Sequence, residues 1–188
     1  MFDHFSILAP IYEFFINAEP QETLLELLDL NESQQVLDMG GGTGRISQHL
    51  AGKTAGILVA DLSFKMLLQT ADKQGLTPVN SHSEKLPFPD STFERIIMVD
   101  ALHHVCDQQQ TAAELWRVLK PGGRIVIEEP DIGRFAVKLV AWGEKLVLMR
   151  SHFLSLEEIL ALFSGAGGRV GGHRKDHFVW AVIDKDPA

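Results

Sequence analysis

At 188 residues the chain suits one domain and is long enough to bury a core without disulfides or metals. Its 45% apolar content is that of a globular protein, and its formal net charge of −8 argues against nucleic acid as the main partner, because phosphate binding favours a basic face. The single cysteine, Cys106, leaves no disulfide framework and no cysteine metal cluster, which fits a reducing, cytoplasmic setting.

The opening stretch, MFDHFSILAPIYEFF, has no basic leader region and no small-residue cleavage site, so it does not read as a signal peptide. No apolar run is long enough to span a bilayer. Residues 1–30 read as one or two helices placed ahead of the first strand. QQVLDM is that strand, and it ends on an acid. Four glycines follow within residues 40–44, and then a helix-compatible segment begins. AGILVAD, ERIIMVD and GRIVIEE read as further buried strands. Between the last two, Thr111 to Lys120 puts Ala112, Leu115, Trp116 and Leu119 on one helical face. Residues 131–152 read as an inserted helix. It is rich in Phe135, Val140, Trp142 and Leu146 but carries Lys138, Glu144, Lys145 and Arg150. It either packs on the core or forms a lid over a substrate pocket. Ser155 and Glu158 form a capping-box pattern, followed by Leu156, Ile159, Leu160 and Phe163 at one-face spacing. GAGGRVGG ends that helix and leads to a late strand, and HFVWAVID is the last one. Strands alternating with helices predict a mostly parallel sheet covered on both faces.

The glycine turn is the most informative local feature. Each glycine gives up conformational freedom on folding, and the usual return is an unusual backbone angle or a very close approach. In an open α/β sheet, ligands bind beyond the carboxyl ends of the strands. A dinucleotide turn needs G-x-G-x-x-G, but counting from Gly40 and Gly42 the third glycine is replaced by Arg45. A P-loop is excluded because no Gly-Lys-Ser/Thr ending is present. What stands here is D-x-G-x-G-x-G from Asp38 to Gly44. That spacing suits a ligand held along the loop by backbone groups. Asp38 sits where the strand is buried, so it needs a hydrogen-bond partner.

Four segments together resemble a known family: VLDMGGGTG, GILVADLS, SEKLPFPDSTFERIIMVDALHHV and RVLKPGGRIVIEEP. In this order they are similar to the motifs of class I S-adenosylmethionine-dependent methyltransferases, in the branch of the ubiquinone/menaquinone C-methyltransferases. The resemblance covers residues 5–163. It implies an α/β, Rossmann-like three-layer sandwich with a mostly parallel seven-stranded sheet, an antiparallel last strand, N-terminal helices (1–30) and a short helical lid (131–152). It also implies S-adenosylmethionine as cofactor and S-adenosylhomocysteine as product. Carried onto matching positions, it assigns cofactor contacts to Asp38, Gly40, Gly41, Gly42, Gly44, Asp61, Leu62, Ser83, Glu84, Asp100 and Tyr12. Asp61, at the tip of the second strand, has the chemistry to accept two hydrogen bonds from a ribose diol. The plain alternative is that it starts the helix after Ser63. The sequence departs from the family pattern at His82, which stands where an acid usually meets the adenine amino group, and at Glu13, which replaces an Asp.

Methyl transfer from a sulfonium is an in-line displacement, so alignment and exclusion of water supply much of the catalysis. His103 and His104, after the fourth motif strand, are candidates for a base or for orienting the acceptor. Structural histidines are the plain alternative. Adjacent histidines are badly spaced for two ligands on one helix face, so no metal site is expected. Glu128 and Glu129 either line the pocket or make polar contacts within the sheet, and His152 is a weaker candidate. Cys106 reads as a small buried hydrophobe. The segment VDAL stands where nucleic-acid amino-methyltransferases carry N/D-P-P-Y/F, which with the acidic balance favours a small-molecule acceptor over nucleic acid; a monomer or homodimer is expected. Two other readings stay open: a non-catalytic S-adenosylmethionine-binding protein and an NAD-dependent oxidoreductase.

Overall fold

The first strand has neighbours on both sides, and that central position organises the sheet. In the computed structural model, which describes residues 22–133 and 152–188, strand β1 (Gln35–Met39) pairs in parallel with both β2 (Gly56–Asp61) and β4 (Phe93–Val99). The seven strands lie in the order β3-β2-β1-β4-β5-β7-β6. Here β3 is Leu76–Asn80, β5 is Leu119–Pro130, β6 is Gly168–Lys175 and β7 is Phe178–Lys185. Strand β7 runs antiparallel to both of its neighbours, as the resemblance implies. The strand order reverses between β1 and β4, which is the switch point where an open α/β sheet binds ligands.

Side chains alternate across each strand and so feed two cores. One face carries Leu37, Met39, Ile96, Met98, Ile125 and Ile127. Helices α3 (Gln108–Val118) and α4 (Leu156–Ala161) cover it through Leu115 and Ile159. The other face carries Val36, Ile57, Val59, Ile97, Val126 and Trp180. Helices α1 (Glu22–Leu28) and α2 (Phe64–Ala71) cover it through Leu24, Leu28 and Leu67. The result is helices, sheet, helices. No helix among the described residues is long and apolar enough to cross a membrane.

Three elements differ from the sequence reading. Strand β3, LTPVN, contains Pro78, which weakens its pattern. It is tolerated because β3 is an edge strand and can lack one ladder donor. The segment after the glycine turn forms only a 3-10 turn, Ser47–His49. Gly44 and Gly52, at φ 70° and 81°, bracket it and leave little room for a helix. Helix α3 starts at Gln108, where Asp107 caps it by accepting from the Gln110 amide at 2.9 Å. Its last residue is Val118, and β5 begins at once.

The capping box forms as expected. The Ser155 hydroxyl accepts from the Glu158 amide at 3.3 Å, and the Glu158 carboxylate accepts from the Ser155 amide at 2.7 Å. The readings of residues 1–21 and of most of the 131–152 segment lie outside the described residues, Tyr12 and Glu13 among them.

Replacing Ser155 by Ala removes the outer bond of this box. The expected loss is about 1 kcal/mol of stability, read from urea denaturation, with Ser155→Asp retaining most of it.

Candidate active site

The glycine turn leaves the end of β1 and is held from several sides. Gly40 donates its amide to the Ala60 carbonyl at 2.7 Å, which ties the turn to β2. Its φ is 76°, and a Cβ there would stand 2.6 Å from the Ala101 Cβ. The turn and the loop after β4 therefore touch at a point where no side chain fits. Gly41 faces the strand instead, and a Cβ there would lie 2.4 Å from an Asp38 carboxylate oxygen. The Thr70 hydroxyl of α2 donates to the Gly42 carbonyl at 2.8 Å.

Asp38 is almost fully buried beneath this turn and accepts from the Ser47 hydroxyl at 2.6 Å. Burial pushes its carboxyl up to about 6, while the Ser47 bond opposes that rise. The nearby Asp61 charge adds to the rise and Arg45 works against it. Arg45, the residue that breaks the dinucleotide pattern, thus supplies positive charge to a buried acid.

Asp61 stands at the tip of β2 and faces the turn. One of its oxygens accepts from the Gly42 amide at 2.9 Å, the other from the Ser63 amide at 2.7 Å. Of the two roles weighed for it from sequence, the one observed is the structural role at the start of α2. It organises the entry to α2, and it holds a charged carboxylate against the glycine backbone. Asn80 of β3 donates to the Asp61 and Leu62 carbonyls, both at 2.9 Å, and steadies this corner. Leu62 is exposed.

On the far side, Asp100 adopts φ 53° and donates its amide to the Glu128 carbonyl at 2.9 Å. The chain then turns through Leu102–His104, a 3-10 element. His103 is 1% exposed and its Nδ1 lies 2.5 Å from a Glu129 oxygen. His104 is less buried, and its pKa is lowered to about 3, first by burial and then by its neighbour His103. It stays neutral at physiological pH, so it cannot donate a proton from an imidazolium there.

The consecutive acids of β5 point to opposite faces. Glu128 accepts from the Trp180 indole at 2.6 Å, and burial pushes its carboxyl up to about 7. Glu129 turns toward His103. Of the two sequence readings of these acids, contacts within the fold are the ones observed.

The structure thus brings Asp38, Gly40, Gly41, Gly42, Gly44, Asp61, Asp100, His103 and His104 to the carboxyl ends of β1, β2 and β4. Ser83 and Glu84 have side chains that turn to α3. The Ser83 hydroxyl lies 2.9 Å from that of Thr111, and Glu84 accepts from the Cys106 and Asp107 amides, both at 3.3 Å. Their side chains fasten the loop, and only their backbone groups remain candidates for a ligand. His82 is exposed, with Nδ1 3.9 Å from Glu84. Cys106 corrects the sequence reading: it is exposed, because it lies in the short link before the Asp107 cap and not on the helix face. His152 is exposed, and its backbone amide donates to the His103 carbonyl at 2.8 Å. Sequence reasoning missed Ser47 and Thr70, whose hydroxyls hold the turn. Their only signal is a hydroxyl within the first turn or two of the element after each motif. Among the described residues, no group of three His, Cys, Asp or Glu side chains is placed to hold a metal ion.

The methyltransferase-domain family matches residues 37–127, the stretch that supplies this site. Over this stretch the chain is similar to S-adenosylmethionine-dependent methyltransferases. It is 29% identical over 135 residues to the ubiquinone/menaquinone biosynthesis C-methyltransferase UbiE of Citrobacter koseri, a match covering 66% of this chain and 54% of that protein. The UbiE protein of Escherichia coli K12 is 30% identical over the same coverage. The chain thus spans about half the length of the curated relatives it matches. Among solved structures, a Thermotoga maritima S-adenosylmethionine-dependent methyltransferase described as a possible histamine N-methyltransferase superposes with a TM-score of 0.79. It has 22% identity and covers 97% of this chain and 98% of that one. A methyltransferase from Aquifex aeolicus gives 0.67 at 21% identity, covering 86% and 87%. At such identity these two show the shared fold.

Two outcomes are expected. Gly40→Ala meets both a left-handed backbone and the Ala101 side chain, and should cost about 2 kcal/mol or more in thermal unfolding. Glu128 has a raised pKa, so its stabilising protonated form is fully present below the ordinary 4.5 and is lost as pH rises through about 7. Glu128→Gln should therefore gain stability relative to wild type across that window, as read from urea midpoints at a series of pH values. A constant gap would refute the assignment.

Proposed function

We propose that this chain transfers a methyl group from S-adenosylmethionine to a small-molecule acceptor. The observation that carries the reading is Asp61, a carboxylate held 2.9 Å from the Gly42 amide at the mouth of a D-x-G-x-G-x-G turn. The residues present suit the cofactor. The turn is a bare-backbone surface, with Gly40, Gly42 and Gly44 at positive φ and no room for a side chain at Gly40, where a Cβ would meet Ala101. Asp61 offers carboxylate oxygens to a ribose diol, and Leu62 offers apolar surface beside it.

When bound, S-adenosylmethionine supplies an electrophilic methyl group on a good leaving group. The chain's own residues then hold and align. Asp38 supports the turn from below. Ala101 and the loop after β4 set the distance between the turn and the acceptor side. His104, neutral because it is buried, offers a lone pair of low basicity and suits hydrogen bonding to an acceptor better than removing its proton. Alignment and exclusion of water are the main sources of rate in this reading. The acidic net charge and the VDAL segment favour a small acceptor over nucleic acid. Arg45 speaks against the oxidoreductase reading, since it replaces the third glycine, which a dinucleotide fold needs for close helix–strand packing.

Calorimetry with S-adenosylmethionine, S-adenosylhomocysteine and NAD tests this. Micromolar binding of the two adenosyl ligands is expected, weakened about tenfold or more in Asp61→Ala, the loss typical of a charged hydrogen-bond partner. Binding of NAD alone would overturn the reading. Adenosyl binding without turnover in a broad acceptor screen would favour the non-catalytic alternative.

A further inference from the structure

Glu129 is 3% exposed and carries three hydrogen bonds. One oxygen accepts from the Ala101 amide at 3.1 Å and the Leu102 amide at 2.7 Å, and the other lies 2.5 Å from His103 Nδ1. A buried carboxylate is tolerated only when such partners replace its water. The two amides are the orphan donors that open the 3-10 turn Leu102–His104, so the same group caps that turn and grips its side chain. The His103 ring is also confined by its faces. Phe153 stacks on it at 4.2 Å with planes 13° apart, and His104 lies against it at 3.9 Å, tilted by 50°. Its backbone carbonyl accepts from the His152 amide.

We propose that Glu129 is a positioning residue: its carboxylate locks His103 as an Nδ1–H donor and so makes Nε2 the ring nitrogen that carries the lone pair. A histidine's tautomer is set by the hydrogen bond its other nitrogen makes. Here that bond comes from the neighbouring strand tip and from the residue that also fixes the turn. Ala101, gripped by Glu129 through its amide, is the residue whose Cβ faces Gly40. The lock therefore sets the height of the acceptor-side wall over the cofactor-binding turn. This inference rests on the methyl-transfer reading of the site. The other titratable groups near the pair are Glu128 on the opposite face of β5, Asp100 before the turn, and His104 and His152 beside it.

Long-range proton–nitrogen correlation spectra of the imidazoles test the lock in the full 15N-labelled chain, without cofactor or acceptor. His103, assigned by its loss in His103→Gln, should carry its proton on Nδ1. That proton should exchange with water about tenfold faster in Glu129→Gln. Unchanged His104 signals would show that the fold is kept. An Nε2–H tautomer in wild type overturns the lock whether or not the variant folds, and so does an unchanged exchange rate in a folded Glu129→Gln. Adding S-adenosylhomocysteine should shift the Ala101 and Leu102 amides. Binding without such a shift overturns the positioning role, whereas failure to bind, measured by calorimetry, speaks against the methyl-transfer reading and leaves the tautomer result standing.

Discussion

The burial of Asp38 under the glycine turn is the constraint on which the site depends. A carboxylate in that place needs a partner, and Ser47 supplies it only if the chain reverses quickly after β1. The reversal requires the positive φ of Gly40, Gly42 and Gly44, and Gly41 must lack a side chain because the carboxylate lies against it. Once the turn is folded that way, its Gly42 amide meets Asp61 and its Gly40 Cα meets Ala101. Three strand tips are thereby fixed relative to one another by a single buried acid and the loop built around it.

Three buried or nearly buried acids sit at the ends of β1 and β5, and each is handled differently. Asp38 receives one hydroxyl, Glu128 one indole N–H, and Glu129 two amides and an imidazole. The first two have raised pKa values, in which burial outweighs one hydrogen bond. Adjacent residues on one strand thus occupy unlike environments, because alternation sends Glu128 to the Trp180 side and Glu129 to the α3 side. The chemistry available at a strand tip is decided by which face a residue takes as much as by its type.

Much of this was legible in the sequence, for physical reasons. Strands β1, β2, β4 and β5 are central and buried on both faces, so they read as continuous apolar runs. The capping box and the glycine turn are local patterns whose meaning survives without tertiary context. What escaped depended on pairing across distance. β3 hid behind Pro78, and the helix expected after the turn was cut short by Gly44 and Gly52. Ser83 and Glu84 were placed by motif, yet their side chains answer to Thr111 and the start of α3, some 20 or more residues away. Glu129 could be flagged as an acid near the site, but its grip on His103 exists only because β4 and β5 are neighbours. Cys106 misled because the helix begins two residues after it, at Gln108.

The strand order has a further consequence for how the molecule is made. Strand β7 lies between β5 and β6, and it is the last of the three in sequence. During synthesis, the outer edge of β5 therefore stays open while about fifty more residues leave the ribosome. Strand β6 emerges first but cannot occupy that edge in its final place, since among the described residues it pairs with β7 alone. All eight of its residues are exposed even in the finished fold, and Arg169, Arg174 and Lys175 give it the charge that discourages stray strand pairing. The nascent chain thus passes through an interval with an unsealed apolar edge, and the basic character of β6 acts as a guard during that interval as well as afterwards.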